Sequence, residues 1–117
     1  MKIYLAARYG RRAELQERAD DLTGHQVTAR WLLGLHEGLS KTVCASDDME
    51  DLAAAGTLIL FGESPSTGYY SGGQMVEFGL ALAQGKRIII CGPRENVFTY
   101  LPQVEQYDTW TEVLEKL

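Results

Sequence analysis

The chain has 117 residues, which suits one domain over 1–117 built around one core. Its 45% apolar and 23% charged content is ordinary for a globular protein, and no run approaches the roughly 18 apolar residues of a membrane span. The formal charge of −5 argues against a polymeric nucleic acid as partner, because phosphate backbones want a basic face.

Taken in order, "KIYLAA" is a short apolar run fit for a buried parallel strand, and "MKIYLAARYG" is too short in its apolar part to be a signal peptide. "RRAELQERADDL" follows, with Leu15, Ala19 and Leu22 on one helical face. "QVTARWL" alternates as a second strand, and Leu33 to Cys44 reads as a loop. "SDDMEDLAAAG" predicts a helix capped by Ser46, with acids in its first turn and Gly56 as its stop. "TLILF" is a third strand, "GGQMVEFGLALAQG" a helix ended by Gly85, and "RIIICG" a fourth strand. A weak strand around "VEQYD" precedes "TWTEVLEKL", where Trp110, Val113, Leu114 and Leu117 share a face. Cys44 and Cys91 lack metal-ligand spacing and His25 and His36 are isolated, so no metal is expected; two lone thiols fit a reducing cytoplasm.

Alternating strands and helices imply a parallel sheet covered on both faces, and five strands in so short a chain fit a flavodoxin-like α/β fold of order 2-1-3-4-5. Ligands in such folds bind beyond the carboxyl ends of the strands. Four segments reach that edge: "AARYGRR", the Trp31 region, "GESPSTGYYSGG" and "CGPREN". The third exceeds the two to six residues a plain connection needs, and long ordered loops at this edge carry function.

Glu77 is expected in the first turn of its helix, where the macrodipole alone favours a carboxylate by about 0.3–1 kcal/mol. Gly72 and Gly73 before it admit another molecule close to the backbone, and Val76 and Phe78 make the surroundings apolar, which suits nucleophilic or acid–base chemistry. Asp48 can face Glu77 across the cleft, and two carboxylates in different environments can divide the roles of nucleophile and proton donor. Asp47 and Asp51 compete for that role, and periodicity does not separate them. Arg8, Arg11 and Arg12 lie in the loop after strand one, where an anion can meet free backbone N–H groups; Arg8 is best placed for it, whereas Arg12 reads as solvated. Neither G-x-G-x-x-G nor a P-loop is present.

Three pieces in order resemble the nucleoside 2-deoxyribosyltransferase superfamily: "KIYLAAR", Asp48 followed by "MEDLAAAGTLILF", and "SGGQMVEFGLALAQGKRIII". The resemblance covers about Lys2 to Pro93. It implies a flavodoxin-like fold, cleavage of the N-glycosidic bond of deoxyribonucleosides or nucleotides without a cofactor, and homo-oligomers with shared sites. Glu77 matches the nucleophile and Asp48 the acid that assists at base and sugar. Tyr4, Ala7, Arg8, Tyr9, Glu63, Ser71, Gly73 and Asn96 are the implied substrate-binding positions, with Arg94 or Asn96 reaching a neighbouring site.

The superfamily contains transferases, which carry an aspartate six residues before the nucleophile, and monophosphate hydrolases, which carry a serine. This chain has Ser71. An aspartate there would repel a 5′-phosphate, whereas a serine hydroxyl can donate to it. The hydrolases' Gly-Ser-Ile-Arg phosphate loop is replaced by "AARYGRR". The expectation is therefore a hydrolase of 2′-deoxynucleoside 5′-monophosphates, with base exchange between deoxyribosides as the alternative and a nucleotide-sensing module without turnover as a further one. Trp31, Tyr69 and Tyr70 are candidates to stack on the base.

Overall fold

The computed structural model describes residues 1–34, 38–64 and 72–117. Ser71, Tyr69, Tyr70 and His36 lie outside them. Five parallel strands form one sheet of order β2-β1-β3-β4-β5: β1 Lys2–Ala6, β2 Gln26–Val27, β3 Thr57–Phe61, β4 Arg87–Cys91 and β5 Val104–Tyr107. The expected flavodoxin-like order is present. Ile3 to Ala6, Leu58 to Leu60 and Ile88 to Ile90 are all buried, as strands covered on both faces must be.

The helices are α1 Arg12–Asp20, α2 Lys41–Ala54, α3 Gly73–Ala83 and α4 Trp110–Lys116. α1 meets α4, where the Trp110 indole N–H donates to Asp21 at 2.8 Å and the ring stacks on Phe61. α2 packs beside α3. In α1 the expected face holds, with Leu15 and the following Leu22 buried and Ala19 packed against the core.

Three expectations need correction. α2 begins six residues before the predicted start: Ser40, not Ser46, is its cap, its hydroxyl accepting from Val43 N at 3.2 Å. Within the expected loop from Leu33 to Cys44, Leu33 closes a short 3-10 turn at Arg30–Leu33 and Lys41 to Cys44 form the first turn of α2. The acids Asp47, Glu50 and Asp51 mark a lateral ion-pair face for Arg30 rather than a helix start. The second strand stops at Val27, because Asp51 takes both Arg30 N and Arg30 Nε at 2.8 Å and draws the chain away from β1. Finally, the first turn of α3 holds no acid: its cap is Gly72, at φ 79°, and Glu77 falls in the second turn.

Candidate active site

β1 carries Tyr4 to the carboxyl edge of the sheet, α2 carries Asp48, and α3 carries Glu77. The three line one cleft of about 520 Å³ together with Ala7, Tyr9, Trp31, Lys41 and Gln74. Consecutive α2 residues point about 100° apart, and this separates the three competing acids. Asp47 and Asp51 turn to Arg30, while Asp48 shares the cleft face with Lys41 and Cys44 at i, i+3 and i+7.

Burial pushes the Glu77 carboxyl up to about 7; the Tyr4 hydroxyl opposes that shift and the Asp48 charge adds to it. Tyr4 is wholly buried, and its hydroxyl is driven well above the ordinary phenol range by burial and then by Glu77. Neither Tyr4 Oη nor Glu77 Oε2 closes a hydrogen bond of ordinary geometry. The phenol faces Glu77 closely enough to favour its charged form, yet both atoms keep capacity for a ligand. At the second turn of α3 the helix dipole is weak. The expectation that it keeps Glu77 ionised therefore gives way to a carboxylate poised near neutrality by burial.

Tyr9 and Trp31 form a tilted aromatic pair on the cleft wall, with centroids 6.1 Å apart. The Trp31 indole N–H donates to Leu5 O at 3.0 Å, which fixes that ring. Arg12, expected in solvent, is half-buried: its guanidinium lies 5.6 Å from the Tyr9 ring centroid and fills the space over Gly34.

The remaining expected residues fall beside the cleft. Glu63, buried at the end of β3, accepts from Arg8 Nε and Arg11 Nη1 at 3.3 Å each. Arg11 also donates to Gly62 O and chelates Glu14. Glu63 therefore engages the loop arginines directly. Asn96 caps the turn at Val97–Tyr100 through Phe98 N and reaches Met75 Sδ at 3.4 Å; Arg94 donates to Thr99 O and stacks on Tyr100. Gly73 lines the cleft. Lys41, Cys44 and Gln74 were missed. The first two fall in the span taken as loop, and Gln74 sits one turn before Glu77, so the i, i+3 rule could have found it.

Among the described residues no cluster of three or more His, Cys, Asp or Glu side chains could hold a metal, and no helix is long and apolar enough to cross a membrane.

Fold and cleft together define an α/β domain of flavodoxin-like topology with two carboxylates and a buried phenol at the switch edge of its sheet. Among solved structures, the chain is similar to a 2-deoxyribosyltransferase from Bacillus psychrosaccharolyticus at 20% identity and TM-score 0.70, over 97% of this chain and 90% of that one. It is also similar to the CMP N-glycosidase BcmB of Clostridium botulinum at 22% identity and TM-score 0.65, over 99% of this chain and 97% of that one. At such identities the likeness establishes the fold. No family model matches the chain, and neither does any curated protein.

Proposed function

We propose that the protein belongs to the nucleoside 2-deoxyribosyltransferase superfamily and hydrolyses the N-glycosidic bond of 2′-deoxynucleoside 5′-monophosphates through a covalent Glu77–deoxyribosyl ester. The observation that carries this reading is the convergence of Glu77, Asp48 and Tyr4 in one cleft. The likeness to a 2-deoxyribosyltransferase and a CMP N-glycosidase supports it.

In the first step the Glu77 carboxylate attacks C1′, and the C1′–N bond breaks with its electron pair going to the base, which takes a proton from Asp48. In the second, Asp48 removes a proton from water as the water oxygen attacks C1′, and Glu77 leaves with the ester's electron pair. The products are free base and 2-deoxyribose 5-phosphate. Tyr4 favours the charged form of Glu77, the form that attacks, against the burial that raises its pKa. The base rests against Tyr9 and Trp31.

The phosphate lies toward the start of α3, where Gly72 has no side chain to cap the first N–H groups, with Ser71 and Arg8 as its side-chain partners. Two charge-assisted hydrogen bonds give a preference on the order of a hundredfold for monophosphates over nucleosides. We expect that ratio in kcat/KM, and its selective loss in Ser71→Asp. Equal values for nucleoside and monophosphate, with base exchange when a free base is added, would leave the transferase reading instead. Binding without release of free base would leave the sensing reading.

The proposed assembly is a homodimer or larger. On α3, Ala81 is wholly buried against the sheet. The exposed stripe is instead Val76, Gly79 and Ala83, and beside it Met49 and Leu80 border a groove of about 250 Å³ that reaches Asp48 and Glu77. A partner on this groove would remove water from the carboxylates. Light scattering at micromolar concentration is expected to give at least twice the 13.0 kDa chain mass; a monomer would contradict shared sites. The half-buried thiols Cys44 and Cys91, neither in a disulfide, suit a reducing cytoplasm.

A further inference from the structure

Lys41 is the only cation among the described residues that line the cleft. It opens α2, and its side chain is exposed. Two helical turns on, Asp48 occupies the same face, so Lys41 stands about 10 Å farther out along the helix axis. Trp31, Leu39, Tyr9 and Cys44 line the same cleft and form a mostly apolar set. Outside the cleft lining, Arg8 and Arg11 share the Glu63 carboxylate, and Arg12 lies over Tyr9.

We infer that Lys41 reads the edge of the base farthest from the glycosidic bond and selects bases that present a carbonyl there: uracil, thymine, hypoxanthine and guanine. This rests on the proposed cleavage reaction, in which the base lies against Tyr9 and Trp31 with its glycosidic nitrogen near Asp48. In that pose the far edge of the ring points out along α2 toward Lys41. An ammonium has three donors and no acceptor. It bonds a carbonyl oxygen and opposes the amino group that cytosine and adenine carry at the same position. A site built to hydrogen-bond one group rejects the analogue lacking it far better than an apolar pocket does.

The test uses matched pairs that differ only at that edge: deoxyuridine against deoxycytidine monophosphate, and deoxyinosine against deoxyadenosine monophosphate. We expect kcat/KM to favour the carbonyl member by on the order of tenfold or more in each pair. Lys41→Gln, whose amide can donate or accept, should bring both ratios within about threefold. The same four nucleotides are titrated by calorimetry into the Glu77→Gln protein, with and without Lys41→Gln, so that binding is read without turnover. A ratio near one with Lys41 present would overturn the inference, as would a ratio that persists in Lys41→Gln. An equal loss on all four nucleotides would also overturn it, and would make Lys41 a phosphate anchor. If no base is released but the calorimetric ratio appears and collapses as described, the cleavage reading falls and Lys41 stands as the base reader. No binding of any nucleotide would end both.

Discussion

Glu77→Gln is expected to lose glycosidic cleavage by on the order of a thousandfold or more while becoming the more stable protein at alkaline pH. The loss follows from removing the proposed nucleophile. The gain follows from linkage. The folded protein raises the Glu77 carboxyl from its ordinary 4.5 to about 7, chiefly by burial. The folded state therefore binds this proton more tightly than the unfolded chain does. The stability associated with the protonated carboxyl is fully present below 4.5 and is lost as pH rises through about 7. That span corresponds to at most roughly 3 kcal/mol, and glutamine avoids the cost. Urea midpoints for the two proteins should separate at pH 8 and converge toward pH 4. In the wild type, kcat/KM should fall as pH drops below about 7, because the attacking carboxylate is then protonated. A variant that keeps a tenth of wild-type turnover would remove Glu77 from its role. Superposed urea curves at pH 8 would show that burial does not strain the carboxylate.

Gly62→Ala should give the largest loss of stability. Gly62 follows β3 and donates its N–H to Cys91 O at 3.0 Å, so the ends of β3 and β4 are tied together there. A Cβ at this position would meet the backbone of Pro93 inside contact distance, and backbone cannot rotate away as a side chain can. Relief requires the two strand ends to part, which costs roughly 3 kcal/mol or more. It would also displace Glu63, the next residue, and with it the tether on Arg8 and Arg11. Gly56→Ala provides the control: it lies before β3 with open space around its Cβ position, and should change stability by less than about 1 kcal/mol. Equal urea midpoints for the two variants would refute the close approach at Pro93.

The buried strands were legible because each is a short apolar run bounded by turn residues, and "TLILF" coincides with Thr57–Phe61. The start of α2 was not. Thr42 and Val43 are poor helix formers, and the visible acids pull a sequence reading toward Ser46. With the start misplaced, Lys41 and Cys44 fell into a loop and no helical face could single out Asp48 from Asp47 and Asp51. Arg30 does so by holding the other two, across 17 and 21 positions of sequence in its contacts with Asp47 and Asp51. The position of Arg8 escaped for the same reason, since Glu63 lies 55 residues away. Local pattern reports which residues share an element; it does not report which distant partner neutralises a charge. The convergence of Asp48 and Glu77 was nevertheless readable, because both belong to elements that begin at the same edge of the sheet.

Trp31 has a double duty with an evolutionary cost. β2 ends at Val27, and Thr28 N still donates to Ile3 O; the Leu5 carbonyl, two residues on, receives the Trp31 indole where a longer strand would have supplied an amide. The same ring is a wall of the cleft. Any substitution that reshapes that wall also strips a rung from the sheet and leaves a buried carbonyl without a donor. Drift at position 31 is thus constrained by folding before it is tested by catalysis. If Lys41 reads the base as proposed, a lineage seeking a new base preference has freer ground there, at an exposed residue outside the core.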